Sequence, residues 1–113
     1  MDIYTDVIHL EPSDVESKGG KLKIKGMNGN GLIVVYAPWC HHCQSLKPTW
    51  MKLANSDQMK FLAVNSTDSR GGKELGNMLG ANGFPSIFIV KGGEVAGKYS
   101  GNRSLDDLRN SAQ

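Results

Sequence analysis

Hydrophobic positions along the chain fall into short blocks, separated by stretches rich in glycine and lysine. The most continuous block, Leu32-Ile33-Val34-Val35-Tyr36, has strand length and no polar interruption. Such a run predicts a central strand covered on both faces, as parallel pairing requires. From His41 to about Asn55, Leu46, Trp50 and Leu53 recur at helical spacing, and Pro48 inside that helix predicts a lost hydrogen bond and a kink. Met59 to Asn65 reads as a further strand. Lys73 to Leu79 reads as a short helix closed by Gly80. Ser86 to Val90 and Val95 to Tyr99 form a hairpin around Lys91-Gly92-Gly93-Glu94. Ser104 caps a last helix with Leu105 and Leu108 inward and Asp106 and Asp107 at its positive end.

The first thirty residues are less regular. Val7 to Leu10 predicts a first strand. Glu11 to Val15, with Pro12 and Ser13 early, predicts a short helix. Lys18 to Gly31 carries five glycines and four lysines, which excludes a helix. Within it, Lys21 to Lys25 alternates like an edge strand, and a loop fits equally well. The succession of strands and helices predicts an α/β fold with a mixed sheet, parallel first and antiparallel at the hairpin edge. No internal repeat is present.

Composition narrows the function. A chain of 113 residues with 39% hydrophobic content suits one domain over residues 1–113. A net charge of +2 is too small to suggest a nucleic-acid partner, and the lysine run reads as a solvated face. No apolar run has the roughly 18 residues of a membrane span. Met1 to Asp6 lacks an apolar signal core, so the expected location is the cytoplasm. The only two cysteines, Cys40 and Cys43, lie two residues apart. A bridge between them closes too small a loop to restrict the unfolded chain, so the pair is better explained by chemistry than as a staple. A strand that delivers a cysteine pair to the start of a helix is what a dithiol redox site needs.

The run Tyr36-Ala37-Pro38-Trp39-Cys40-His41-His42-Cys43, followed by Lys47-Pro48-Thr49-Trp50, resembles the thioredoxin superfamily, and within it the catalytic domains of protein disulfide isomerases. Gly83-Phe84-Pro85-Ser86 looks like the family's cis-proline loop. Lys98 to Arg103 resembles the segment entering its last helix, and Val7 to Leu10 its first strand. The resemblance covers nearly the whole chain and is weakest from about Glu16 to Gly31. It implies the thioredoxin fold, a central mixed sheet flanked by helices in three α/β/α layers. The implied activity is thiol–disulfide exchange on protein substrates, served by a recharging partner, either a reductase or a sulfhydryl oxidase. No cofactor beyond the Cys40–Cys43 pair, no metal, no membrane and a monomeric state are expected.

Cys40, at the helix N-terminus, is the expected nucleophile, and Cys43, one turn deeper, resolves the mixed disulfide. A protonated imidazole beside Cys40 stabilises the thiolate and makes the couple more oxidising, a role the resemblance assigns to His42. His41 stands where the disulfide-isomerase pattern has Gly and adds a second donor or faces water. The expected potential lies nearer roughly −180 mV than thioredoxin's roughly −270 mV. With Pro85 cis, Trp39, Phe84 and Gly101 would form a flat apolar rim, and the Phe84 backbone could pair with an extended substrate. One departure stands out. The family's buried acid, six residues before the first cysteine, is here Val34, and its accompanying lysine falls on Ala63. Both halves of a buried ion pair are absent together, which leaves Cys43 without its usual base.

Two other classes fit part of the pattern. Four consecutive residues cannot surround one zinc, although a dimer could share a metal or an iron–sulfur cluster through two cysteine pairs. A redox-weakened interaction module is supported by the missing acid alone. Within the redox class, the histidines favour an oxidase or isomerase, whereas a cytoplasmic location favours a reductase.

Overall fold

The apolar run at the centre of the sequence becomes the centre of the sheet. The computed structural model describes residues 1–56 and 59–113. Strands β1 (Val15–Lys18), β2 (Lys21–Ile24), β3 (Gly31–Tyr36), β4 (Lys60–Asn65), β5 (Ser86–Lys91) and β6 (Glu94–Tyr99) form one sheet, ordered β1-β2-β6-β5-β3-β4. Helices are α1 (His41–Ser56), α2 (Gly72–Leu79) and α3 (Leu105–Ala112). Only β3 and β4 are parallel; every other strand pair is antiparallel.

All six residues of β3 are buried because both faces are covered. Leu32, Val34 and Tyr36 pack with Leu46, Trp50 and Leu53 of α1 and Leu108 of α3. Ile33 and Val35 pack with Leu75 and Leu79 of α2 on the opposite face. The period of two along the strand thus feeds two cores, which is why the sequence shows no alternation. These are the three α/β/α layers expected. Among the described residues, no helix is long and apolar enough to cross a membrane.

The N-terminal third departs from expectation. Val7 to Leu10 is not a strand: it makes a single parallel bridge, His9 opposite Ala63, with Leu10 N–H donating to the Ala63 carbonyl at 2.9 Å. Asp6 turns the chain on one side with φ of 61°, and Pro12, which has no N–H, starts a new turn on the other, so no longer ladder can form. Glu11 to Val15 is not an α-helix but one 3-10 turn, Pro12–Asp14, followed directly by β1. The glycine pair Gly19-Gly20, both at positive φ, is a tight hairpin turn joining β1 to β2. Lys21 to Ile24 is a strand as its alternation suggested, but not an edge: it lies between β1 and β6, and β1 takes the edge.

The hairpin seats on the sheet through Gly93. Its φ is 83°, its N–H donates to Gly29, its carbonyl accepts from Ile24, and a Cβ there would lie 2.0 Å from the Met27 carbonyl oxygen. Gly97, in β6, has no atom within 4 Å of that position. Gly93→Ala is therefore expected to destabilise the protein by about 1–3 kcal/mol in urea unfolding, while Gly97→Ala stays within about 0.5 kcal/mol of wild type. Equal effects would refute this seating of residues 24–29.

Candidate active site

Strand β3 ends at Tyr36, and Ala37 to Cys40 turn the chain into α1. Cys40 N–H donates to Ala37 O at 3.0 Å, closing the turn, and the Gln44 side-chain amide donates to Pro38 O at 2.9 Å, bracing it. Cys40 is the residue before the helix. Its carbonyl accepts from Gln44 N–H at 3.1 Å, and its sulfur accepts from Cys43 N–H at 3.3 Å. The sulfur thus occupies the place of an N-cap acceptor, where the helix's unpaired N–H groups and positive end point.

Both cysteines are free thiols. The Cys40 thiol donates to the Phe84 carbonyl at 3.5 Å, and the Phe84–Pro85 bond is cis. Trp39 is 71% exposed and Phe84 36%, so neither is a core aromatic. Their rings meet edge to face at 5.9 Å beside the cysteine. Trp50, by contrast, is fully buried and stacks edge to face on Phe61. Gly101 is exposed and lies against Tyr99, whose hydroxyl would be 2.6 Å from a Cβ at that position. His41 and His42 are exposed in the first turn of α1, and their imidazoles make no hydrogen bond among the described residues. His42 shares a shallow cleft of about 150 Å³ with Ser45, Thr49 and Arg103. A larger cleft, about 390 Å³, lies far from this chemistry in sequence and lining, between residues 25–30 and Leu10, Ile24 and Leu62.

Cys43 has no exposed surface. Burial pushes its thiol up to about 12; the hydrogen bond with Cys40 adds to the rise, while the Ala37 backbone and the Arg103 charge oppose it. Beneath it the sheet is apolar. Val34 and Ala63 are register partners on adjacent strands, both fully buried in the same cluster as Cys43. A Val beside an Ala fills the place where the family pattern would put an acid beside a lysine.

Two residues near Cys43 carried no functional role in the sequence. Arg103 stands in the segment that resembles the entry to the last helix, and nothing local distinguishes it from a surface cation. Tyr4 lies in the acidic N-terminal stretch, yet it is fully buried and its hydroxyl donates to the Cys43 carbonyl at 2.8 Å. Long-range contacts of this kind leave no periodic signal. Among the described residues, no three His, Cys, Asp or Glu side chains converge on a point that could hold a metal ion.

Comparison with known proteins agrees with this geometry. The Thioredoxin family model matches residues 15–113. The chain is 36% identical over 105 residues to protein disulfide-isomerase like 2-2 of Arabidopsis thaliana, covering 90% of this chain and 22% of that protein. It is 42% identical over 92 residues to protein disulfide-isomerase erp38 of Neurospora crassa, covering 75% of this chain and 25% of that one. Among solved structures it superposes on the J-Trx1 fragment of ERdj5 with a TM-score of 0.61 at 36% identity, over 72% of this chain and 40% of that one. The chain therefore spans about a quarter of the length of these curated relatives. With its matched sequence model, six-stranded mixed sheet and paired cysteines at the head of α1, the chain belongs to the thioredoxin family and is related to its disulfide-isomerase-like members.

Proposed function

We propose that this chain is a thiol–disulfide oxidoreductase acting on protein substrates, with Cys40 as nucleophile and Cys43 as resolving cysteine. The observation that carries the reading is the setting of the Cys40 sulfur. It caps α1, accepts the Cys43 N–H at 3.3 Å, and lies against the carbonyl of Phe84, whose exposed ring meets that of Trp39, the residue before Cys40. In the reducing direction the Cys40 thiolate attacks a substrate disulfide. One substrate sulfur leaves as a thiolate, and a Cys40–substrate mixed disulfide forms. The Cys43 thiol then loses its proton and its sulfur attacks the Cys40 sulfur. The Cys40–Cys43 bond forms as the Cys40–substrate bond breaks, and the second substrate sulfur departs with the electron pair and takes up a proton. The substrate gains two electrons and the pair is oxidised; the oxidising direction is the reverse.

The exposed side chains of Phe84 and Trp39 beside the cysteine give an extended chain apolar surface to lie on, which suits a protein substrate better than a small molecule. On this reading the chain works as a monomeric domain, needs no cofactor beyond its cysteine pair, and is recharged by a reductase or a sulfhydryl oxidase. His42 in the first turn, when protonated, adds positive charge near the site and stabilises the dithiol over the disulfide. That favours oxidase or isomerase work.

The reduction potential, followed by Trp fluorescence in glutathione buffers, is expected near roughly −180 mV, and His42→Pro should move it toward roughly −270 mV. An unchanged potential in the variant would remove the role given to His42, and a wild-type value near the lower figure would make the protein a reductase. Arg103→Gln removes the cation that opposes the rise of the Cys43 thiol, so at any pH below about 12 less Cys43 is ionised. Resolution of the mixed disulfide should slow, by no more than about threefold, because the Arg103 charge is the smallest of the influences on that thiol. A rate equal to wild type in stopped-flow kinetics would contradict this.

A further inference from the structure

Residues 1–6 run beneath the active-site helix and place Tyr4 under its first turn. The Tyr4 side chain is fully buried in the cluster that holds Cys40, Cys43, Val34, Ala37 and Ala63, and its ring lies 4.5 Å from that of Tyr36. A buried hydroxyl needs a partner, and this one donates to the Cys43 carbonyl at 2.8 Å. Pro48 has no N–H, so the next carbonyl along the helix, that of Gln44, lacks its helical donor.

The segment carrying Tyr4 is anchored. The Asp2 carboxylate accepts from Arg70 at 2.6 Å and from the Asn65 amide at 3.1 Å, and the same amide donates to the Met1 carbonyl at 3.1 Å. The Tyr36 hydroxyl reaches Asp2 at 3.5 Å and His9 at 2.7 Å, and Asp68 holds Arg70 from its other side. Burial alone would raise the Asp2 carboxyl, but the Asn65 and Arg70 hydrogen bonds hold it below its ordinary value, so the anchor stays ionised. Tyr4 is thus pinned by Asp2 to the ends of β3, which leads into the cysteine loop, and of its neighbour β4.

We propose that Tyr4 is a positioning residue for the resolving cysteine: its hydroxyl, bonded to the Cys43 carbonyl, holds the first turn of α1 so that the Cys43 sulfur meets the Cys40 sulfur of the mixed disulfide. This deepens the oxidoreductase reading and rests on it. It bears on one step only, the attack of Cys43 on Cys40, because the first attack uses a sulfur that Tyr4 does not hold. The groups facing Tyr4 are the two thiols, the Tyr36 phenol and the Arg103 guanidinium. Burial first, and then the cysteines and Tyr36, push the Tyr4 phenol far above its ordinary value, with Arg103 opposing. The hydroxyl is therefore a donor at every working pH and exchanges no proton with Cys43. The loss on removing it is the same fold at each pH, whereas a proton relay would alter the shape of the profile.

The test uses Tyr4→Phe, which keeps the ring, and dithionitrobenzoate, an aromatic disulfide that releases one coloured thiolate on attack by Cys40 and a second on resolution by Cys43. Stopped-flow absorbance separates the two. The first phase is expected to match wild type, and the second to slow by about tenfold at every pH between about 6 and 9. A second phase equal to wild type overturns the proposal, as does an equal slowing of both phases or a deficit that changes with pH. If Tyr4→Phe does not fold, as judged by thermal melting, Asp2→Ala loosens the same anchor. It should slow the second phase alone by a smaller factor, and no slowing overturns the proposal. A wild-type protein that releases no coloured thiolate overturns the oxidoreductase reading together with this one, which separates the two failures.

Discussion

The desolvation of Cys43 is the constraint around which the site is arranged. A thiol sealed beneath the first turn of a helix, over an apolar sheet, resists ionisation, and its value is pushed up to about 12. Cys40, a single turn away, caps the helix and takes a backbone N–H on its sulfur. Two identical side chains are thereby given different tasks by position alone. On the proposed reading the difference is what makes the pair useful: one sulfur meets the substrate, and the other stays protonated until a mixed disulfide brings it a target.

That difference depends on the sheet. Strand β3 is buried along its whole length, so its end, where the cysteine loop begins, is held from both faces. Val34 and Ala63 lie side by side beneath Cys43. Replacing an ion pair there by two apolar residues avoids stranding an unpaired charge in the core, which would cost several kcal/mol. The same replacement leaves Cys43 with no carboxylate at that place in the sheet. Polar groups that still act on Cys43 include the Tyr4 hydroxyl, which is bonded to its carbonyl, and the Arg103 charge.

Much of this architecture was legible because its signals are local. The apolar run of β3, the heptad-like spacing of α1 around Pro48, the glycine pair at residues 92–93 and the Ser104 cap each announce one element. The cysteine loop is likewise contiguous, and the exposed aromatics beside it follow from one further motif at Phe84-Pro85. The N-terminal third was harder. Residues 7–10 carry the apolar character of a strand but form one bridge, since Asp6 and Pro12 bound them. Gly19-Gly20 was masked by the glycines around it, so the hairpin turn and β1 went unread and Lys21 to Lys25 fitted an edge strand or a loop equally well. Tyr4 and Arg103 were invisible for a different reason: each reaches the site from the far end of the chain, and no spacing encodes such a contact.

The most direct measurement is the ionisation of Cys43 itself in the reduced protein, followed by the Cβ carbon resonance of Cys43 as pH is raised from neutrality to about 11. This residue is expected to remain a thiol throughout, with its midpoint at about 12. A transition at or below the ordinary value of 9.0 would show that the sheet beneath it does not impose the desolvation on which the division of labour between the two cysteines depends.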